Sequence, residues 1–306
     1  EEKNIPAFGP DQTAARLESD KEFTRNLLRK HLPDAVPRYQ VFTDRNEAME
    51  YAASMDWQVA VKPIGLTEGL GVRVFGDQLK SAEAVKRYIT EIIEKEIGGK
   101  SRVIIEEKVT GEEFTLQCLV NGTQVIPTPV VQDFKKLLPG EKGANTASMG
   151  SYSDSNGILP FMTARDYERA LDIIDKTLEV FSSETGHICR GFLYGQFMIT
   201  ASGIKLIEYN FRPGDPEWMN TVYILKNNLS EAIDDLLSED KSELSFEKKA
   251  TVCKYIVPPG YPEKLNQILE VSFSEKDITA AGADFYYSGG LDRNNKLNVG
   301  SERGIA

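Results

Sequence analysis

With 306 residues, 41% of them hydrophobic and 27% charged, the chain is long enough for two or three domains and too apolar for wholesale disorder. Its formal net charge of −11 argues against a general nucleic-acid or membrane-binding surface, so an anionic ligand would need a local basic pocket. No apolar run reaches the roughly 18 residues of a spanning helix, and two histidines are too few for zinc clusters or histidine-based triads.

In chain order, the opening EEKNIPAFGP is charged, lacks a signal-peptide core and lacks an initiating Met, which leads us to expect a piece of a longer protein. Ser19, three residues before Glu22, predicts a capping box that opens a helix over ESDKEFTRNLLRKHL, ending at His31, where a cation is favourable. WQVAVKPIGLTEGLGVRVF reads as strand, glycine-rich turn (Gly65, Gly69, Gly71) and strand. Helical spacing of Val85, Ile89, Ile92, Ile93 and Ile97 follows, then strands with a hairpin turn at Asn121-Gly122. Residues 139–157 read as a polar loop. TARDYERALDIIDKTLEVFSSETG reads as a long helix stopped by Gly186, with His187 just beyond that stop. GFLYGQFMITASGIKLIEYNFR reads as a second hairpin, LSEAIDDLL as a helix, and the chain from KATVCKYIVPPGYP onward as short strands and loops. Helices mixed with hairpin-joined strands favour α+β layers over a doubly wound parallel sheet.

Cys118, Cys189 and Cys253 are scattered and odd in number, as expected for buried, reduced thiols in a cytoplasm. Any chemistry therefore rests on carboxylates, lysines, arginines and backbone amides. In GIKLIEYNFRPGDPE, strand alternation places Leu206, Glu208 and Asn210 on one face, with Arg212 following if the strand continues, and Ile207, Tyr209 and Phe211 on the other. Glu and Asn are poor strand formers, but their hard oxygens suit Mg²⁺ on a nucleotide phosphate; a half-exposed strand with a polar outer face is the other reading. Lys62 ends an apolar strand just before the glycine-rich turn, where both can meet the same anion; the turn can equally be a hairpin with a pliable tip. Its spacing matches neither the P-loop nor the dinucleotide fingerprint.

Taken in order, FGPDQTAARLESDKEFTR, VAVKPIGLTEGLGV, VIIEEKVTGEEFTL, PVVQDFKK, GANTASMGSY, GFLYGQFMI and LIEYNFRPGDPE resemble the ATP-grasp fold, and more closely the glycinamide ribonucleotide synthetase (phosphoribosylamine–glycine ligase) family. The resemblance implies two α+β subdomains clasping ATP, followed by a partial β-rich C-terminal domain. Residues 1–20 would be a linker from an absent N-terminal domain, 21–245 the ATP-grasp domain with its lid at about 50–110, and 246–306 the partial C-terminal domain.

The resemblance also implies roles. Lys21 and Lys62 match phosphate-binding lysines, with Gly69 and Gly71 in the phosphate-covering loop. Glu106, Glu107, Lys108 and Val109 match the adenine-contacting linker, Glu113 the ribose contact, and Glu208 and Asn210 the ligands of Mg²⁺ or Mn²⁺. Asp133, Asn145, Arg212 and Asp215 match positions around the acceptor and the transferred phosphate, with Arg212, Lys62 and Asp215 as catalytic candidates. The implied activity is an ATP-dependent C–N ligation in cytoplasmic purine biosynthesis, with glycine and 5-phosphoribosylamine as substrates and no nucleic-acid or membrane partner. A ligase for another acid–amine pair and a nucleotide-binding homologue without catalysis are the alternatives. The chain departs from the family pattern at Leu70, Phe134, Ala147, Ser148 and Pro213, all around the triphosphate and acceptor.

Overall fold

The structure, a computed structural model, describes residues 7–65, 71–240, 243–263, 269–288, 290–291, 297–299 and 303, with 290, 291 and 297 as backbone only. Asp20 rather than Ser19 caps the first long helix. Ser19 ends a single turn, α1 (Arg16–Ser19), and the Asp20 carboxylate accepts the Phe23 amide at the start of α2 (Lys21–His31). A carboxylate at that position satisfies the free amide and suits the positive end of the helix, so the expected capping box does not form. His31 does lie in the last turn, against Glu184 at 2.6 Å.

A 3₁₀ turn (Pro33–Ala35) leads into β1 (Tyr39–Phe42), α3 (Arg45–Ser54), β2 (Val59–Pro63), β3 (Arg73–Val74), α4 (Ala82–Glu94) and β4 (Val103–Glu107). The strands form an antiparallel sheet in the order β1-β4-β2-β3. Val59, Val61, Val103 and Ile105 pack on Val85, Ile89 and Ile92 of α4, the face that the helical spacing marked; Ile93 and Ile97 pack at its margin. Alternation then turns Lys62 and Glu106 to the opposite face. Lys62 pairs in register with Ile104 and so lies diagonal to Glu106, within reach of a long side chain.

β5 (Gly111–Asn121) turns at Gly122 (φ 63) into β6 (Gln124–Pro127), the hairpin expected there. Next come β7 (Val131–Asp133), β8 (Lys136–Leu138), β9 (Lys142–Asn145) and β10 (Gly150–Ser153). Two strands therefore lie in residues 139–157, where a loop was expected. Their glycines, serines and lysines have little intrinsic strand preference; β9 is ordered by pairing with β8, and β10 by its ladders. α5 (Ala164–Thr185) begins in a Thr163–Asp166 capping box and ends at Gly186, whose φ of 73° is left-handed. The hairpin β11 (Arg190–Thr200)–β12 (Gly203–Asn210), α6 (Glu217–Tyr223), α7 (Leu229–Leu237) and β13 (Thr251–Lys254) follow. A small sheet at the end joins β14 (Leu269–Val271), β15 (Gly290–Leu291) and β16 (Leu297–Val299), with α8 (Glu275–Ala280) between the first two in sequence. Among the described residues no helix is long and apolar enough to cross a membrane.

The seven-stranded sheet runs β12-β11-β5-β7-β10-β13, with β6 also on β5. Its core face carries Phe114, Leu116, Cys118, Leu193 and Phe197, packed on α5 and α2 through Ile173, Ile174, Leu178, Leu27 and Leu28. Its other face carries Glu113, Thr115, Gln117, Tyr194 and Gln196, by alternation and by the β5–β11 register.

Simple alternation fails in β12. Gln196 pairs with Glu208 but Phe197 pairs with Leu206, so Ile207 is an extra residue, a β-bulge. Leu206 consequently joins Tyr209 and Phe211 in the core instead of sharing a face with Glu208 and Asn210, and Ile207 is left half-buried. Leu206→Ala is therefore expected to cost about 2–5 kcal/mol of unfolding free energy, read by urea denaturation. A loss near zero would put Leu206 back on the open face.

Candidate active site

Two walls meet at α2. From the four-stranded sheet, Lys62 Nζ lies 2.5 Å from Glu106 Oε2, and both side chains are buried. From α2, Lys21 Nζ donates to the Gly65 carbonyl at 2.8 Å. Burial lowers the pKa of Lys21, and the nearby Glu208 carboxylate acts against that shift. Glu208 belongs to the opposite wall, the polar face of the seven-stranded sheet, so the fold brings Lys21, Lys62, Glu106 and Glu208 into one electrostatic neighbourhood. The bulge at Ile207 is what turns Glu208 and Asn210 to that wall.

On the same wall, Gln196 Nε2 donates to Glu113 Oε2 at 2.7 Å, and Lys135 Nζ stands 3.9 Å from the same carboxylate. Burial alone would lower the Lys135 pKa, but Glu113, Asp133, Glu208 and Glu217 together raise it, so this ammonium is held charged among four acids. Asp133 is pushed up to about 7, first by burial and then by the Glu217 carboxylate. Ser148 donates its hydroxyl to Asp133 Oδ1 and accepts the Gly150 amide at 3.0 Å. Its φ of 143° is a backbone state that favours glycine, and these bonds help hold a serine there. Glu217, in the first turn of α6 and 3% exposed, accepts the Tyr194 hydroxyl at 2.8 Å.

Other candidates stand apart. Glu107 faces outward onto Arg38, Nε to Oε2 2.6 Å. Lys108 Nζ donates to the Phe75 carbonyl at 2.9 Å, and Val109 is half-buried at the start of the connection to β5. Gly71 accepts the Tyr88 hydroxyl at 2.5 Å. Gly69 and Leu70 lie outside the described residues, as does most of the glycine-rich turn. Asn145 is exposed on the β8–β9 hairpin.

Arg212 does not follow Glu208 and Asn210 along the strand. β12 stops at Asn210, because the Phe211 amide donates to Glu18 Oε2 at 2.8 Å and the chain turns. Arg212 is exposed, with Nη1 3.1 Å from the Pro213 carbonyl and Nε 4.0 Å from Glu18 Oε1. Asp215 accepts the Tyr255 hydroxyl and pairs with Arg303, whose guanidinium lies 4.0 Å from the Tyr255 ring centroid.

Sequence reasoning missed Lys135, Glu217 and Tyr194. Lys135, two residues from Asp133, was open to notice. Glu217 was disguised by its place at the start of a helix, where an acid normally serves the helix dipole in solvent.

A family model described as phosphoribosylglycinamide synthetase, ATP-grasp (A) domain, matches residues 19–218. The chain belongs to this family. It is 43% identical over 306 residues to a phosphoribosylamine–glycine ligase of Methanothermobacter thermautotrophicus, covering 100% of this chain and 70% of that protein. It is 45% identical over 311 residues to the Methanopyrus kandleri protein of the same name, covering 100% and 69%. Among solved structures, the phosphoribosylamine–glycine ligase of Thermotoga maritima superposes with a TM-score of 0.80 at 26% identity, over 97% of this chain and 72% of that one. A Campylobacter jejuni biotin carboxylase, at 12% identity and a TM-score of 0.67, shares the fold. The expected α+β, ATP-grasp architecture is thus the observed one.

Within an ATP-grasp site the donor pair fits a hard divalent ion. Among the described residues the Glu208 and Asn210 side chains make no hydrogen bond or ion pair, so their oxygens are free to ligate.

Proposed function

We propose that this chain is an ATP-dependent carboxylate–amine ligase that joins glycine to 5-phosphoribosylamine through an acyl phosphate, releasing ADP and phosphate, in cytoplasmic purine biosynthesis. The observation that carries the reading is the meeting of Lys21 and Lys62 with Glu208 across one cleft, in a chain whose full-length relatives bear that ligase name. Lys62 and Lys21 would hold phosphate oxygens of ATP; at an effective dielectric of 20, a lysine about 4 Å from a phosphate charge is worth roughly 4 kcal/mol. Glu208 and Asn210 would hold Mg²⁺ or Mn²⁺, which when bound neutralises phosphate charge as it is transferred. The segment Glu106 to Val109, with Gly69 and Gly71, would surround the nucleotide, and Glu113 would meet its ribose. The four-stranded sheet with α3 and α4 is the lid in this reading. Asp133, Asn145 and Asp215 would surround the acceptor substrate.

Phosphoryl transfer asks for positioning and charge stabilisation more than for acid–base groups, which suits a cleft without histidine. The test is phosphate release from ATP on the complete protein. It should require glycine and phosphoribosylamine together and yield the glycinamide product. Release with another acid–amine pair only, or ATP binding with no release for any pair, would replace the reading.

Asp133 supplies a pH signature. Its raised pKa means that the carboxyl is neutral below about 7 and charged above it. If the charged form receives a substrate amine, kcat/KM for glycine should rise through about pH 7, and Asp133→Asn should flatten that limb. An unchanged limb in the variant would assign the titration to another group.

A further inference from the structure

Arg25, on α2, has no role in the site described so far, yet its guanidinium is 4% exposed and touches both walls. Nε donates to Glu106 Oε1 at 2.6 Å and Nη2 to Glu106 Oε2 at 3.3 Å. The same Nη2 donates to the Ile207 carbonyl at 2.6 Å. Glu106 is the partner of Lys62, and Ile207 is the bulged residue that immediately precedes Glu208. One planar group therefore links the phosphate-side lysine, through its carboxylate partner, to the backbone irregularity that aims the oxygen donors.

The chemistry favours arginine here. A bulge takes a residue out of the regular ladder, so its carbonyl benefits from a donor outside the ladder. A buried cation also needs a paired acid, and a planar, multi-donor fork can grip both oxygens of a carboxylate and reach a carbonyl in one fixed geometry, which a point ammonium cannot reproduce. Glu106 is acidified accordingly: burial would raise its pKa, but Arg25 and Lys62 hold it down to about 2, so the pair stays ionised across the working pH range.

We propose that Arg25 is a positioning residue: by gripping Glu106 and the Ile207 carbonyl at once, it sets the bulge that presents Glu208 and Asn210 to the metal–nucleotide complex opposite Lys62. This rests on reading Glu208 and Asn210 as metal ligands. Groups that orient a metal's ligands commonly change metal affinity about 10–100-fold when replaced.

The test uses the complete protein with Arg25→Lys, Arg25→Met and Glu208→Gln, each checked for cooperative unfolding by circular dichroism. Binding of β,γ-methylene-ATP is titrated without metal, and then as its Mn²⁺ complex by electron paramagnetic resonance. The expected result for Arg25→Lys is a Mn²⁺ complex bound at least about ten-fold more weakly, metal-free nucleotide bound within about two-fold of the parent, and a lower kcat with KM for glycine unchanged. Arg25→Met should show the larger loss; if it does not fold, Arg25→Lys decides. A lower melting temperature with Mn²⁺ binding intact, or equal losses with and without metal, would make Arg25 a purely structural ion pair and overturn the proposal. Glu208→Gln separates the layers: if it also leaves Mn²⁺ binding intact, the ligand reading fails and takes this inference with it.

Discussion

Arg212→Ala is expected to lower kcat by about 10²–10³, equivalent to about 2.7–4 kcal/mol of transition-state stabilisation. The guanidinium sits just beyond the donor strand and, among the described residues, is held by the Pro213 carbonyl at 3.1 Å and a 4.0 Å approach to Glu18, which leaves it room to turn toward a transferring phosphate. Asp215, its nearest acidic neighbour in sequence, is already engaged by Tyr255 and Arg303. Charge accumulates on the phosphoryl oxygens during transfer, so a contact from Arg212 would strengthen along the reaction and ATP affinity should fall far less than the rate. Lysine should rescue only in part, since a point charge does not reproduce the planar fork. Parallel losses in ATP affinity and kcat/KM with kcat intact would make Arg212 a ground-state binder.

Glu208→Gln should raise the Mg²⁺ concentration needed for half-maximal turnover by at least about 10–100-fold while leaving the fold intact. Glutamine keeps the shape and one oxygen but removes the negative charge that suits a hard cation. The side chain is half-buried and makes no hydrogen bond or ion pair among the described residues, so its replacement breaks none; what it removes is the charge that acts on Lys21 and Lys135. Zinc should support turnover poorly in the parent, because hard oxygen donors do not favour it. An unchanged Mg²⁺ titration in Glu208→Gln would remove this residue from the metal site.

Much of the layout was legible before any coordinates. α4 and α5 could be read because an apolar stripe at helical spacing has one way to bury itself, and the Asn121-Gly122 turn because few sequences accept that backbone. The errors have separate sources. Ser19 yielded the cap to Asp20, an equally good side chain one residue on. Strands β9 and β10 were hidden because glycine and serine acquire extended structure from their partners rather than from their own preference. In β12 the period-two rule correctly marked Glu208 and Asn210 as one set but misplaced Leu206, because a bulge leaves no trace in residue type.

Residue order alone was enough for the α+β class and for the family resemblance, since both rest on short stretches read in one dimension; the resemblance in turn nominated Lys21, Lys62, Glu208 and Asn210. The pairings across that set are another matter. That Arg25 joins Glu106 to Ile207, residues 81 and 182 positions away, and that Glu217 helps raise the Asp133 pKa, followed from the folded chain. The reason is physical: charge interactions depend on distance and burial in three dimensions, and a buried guanidinium chooses its partners by geometry, however far apart they stand in the chain.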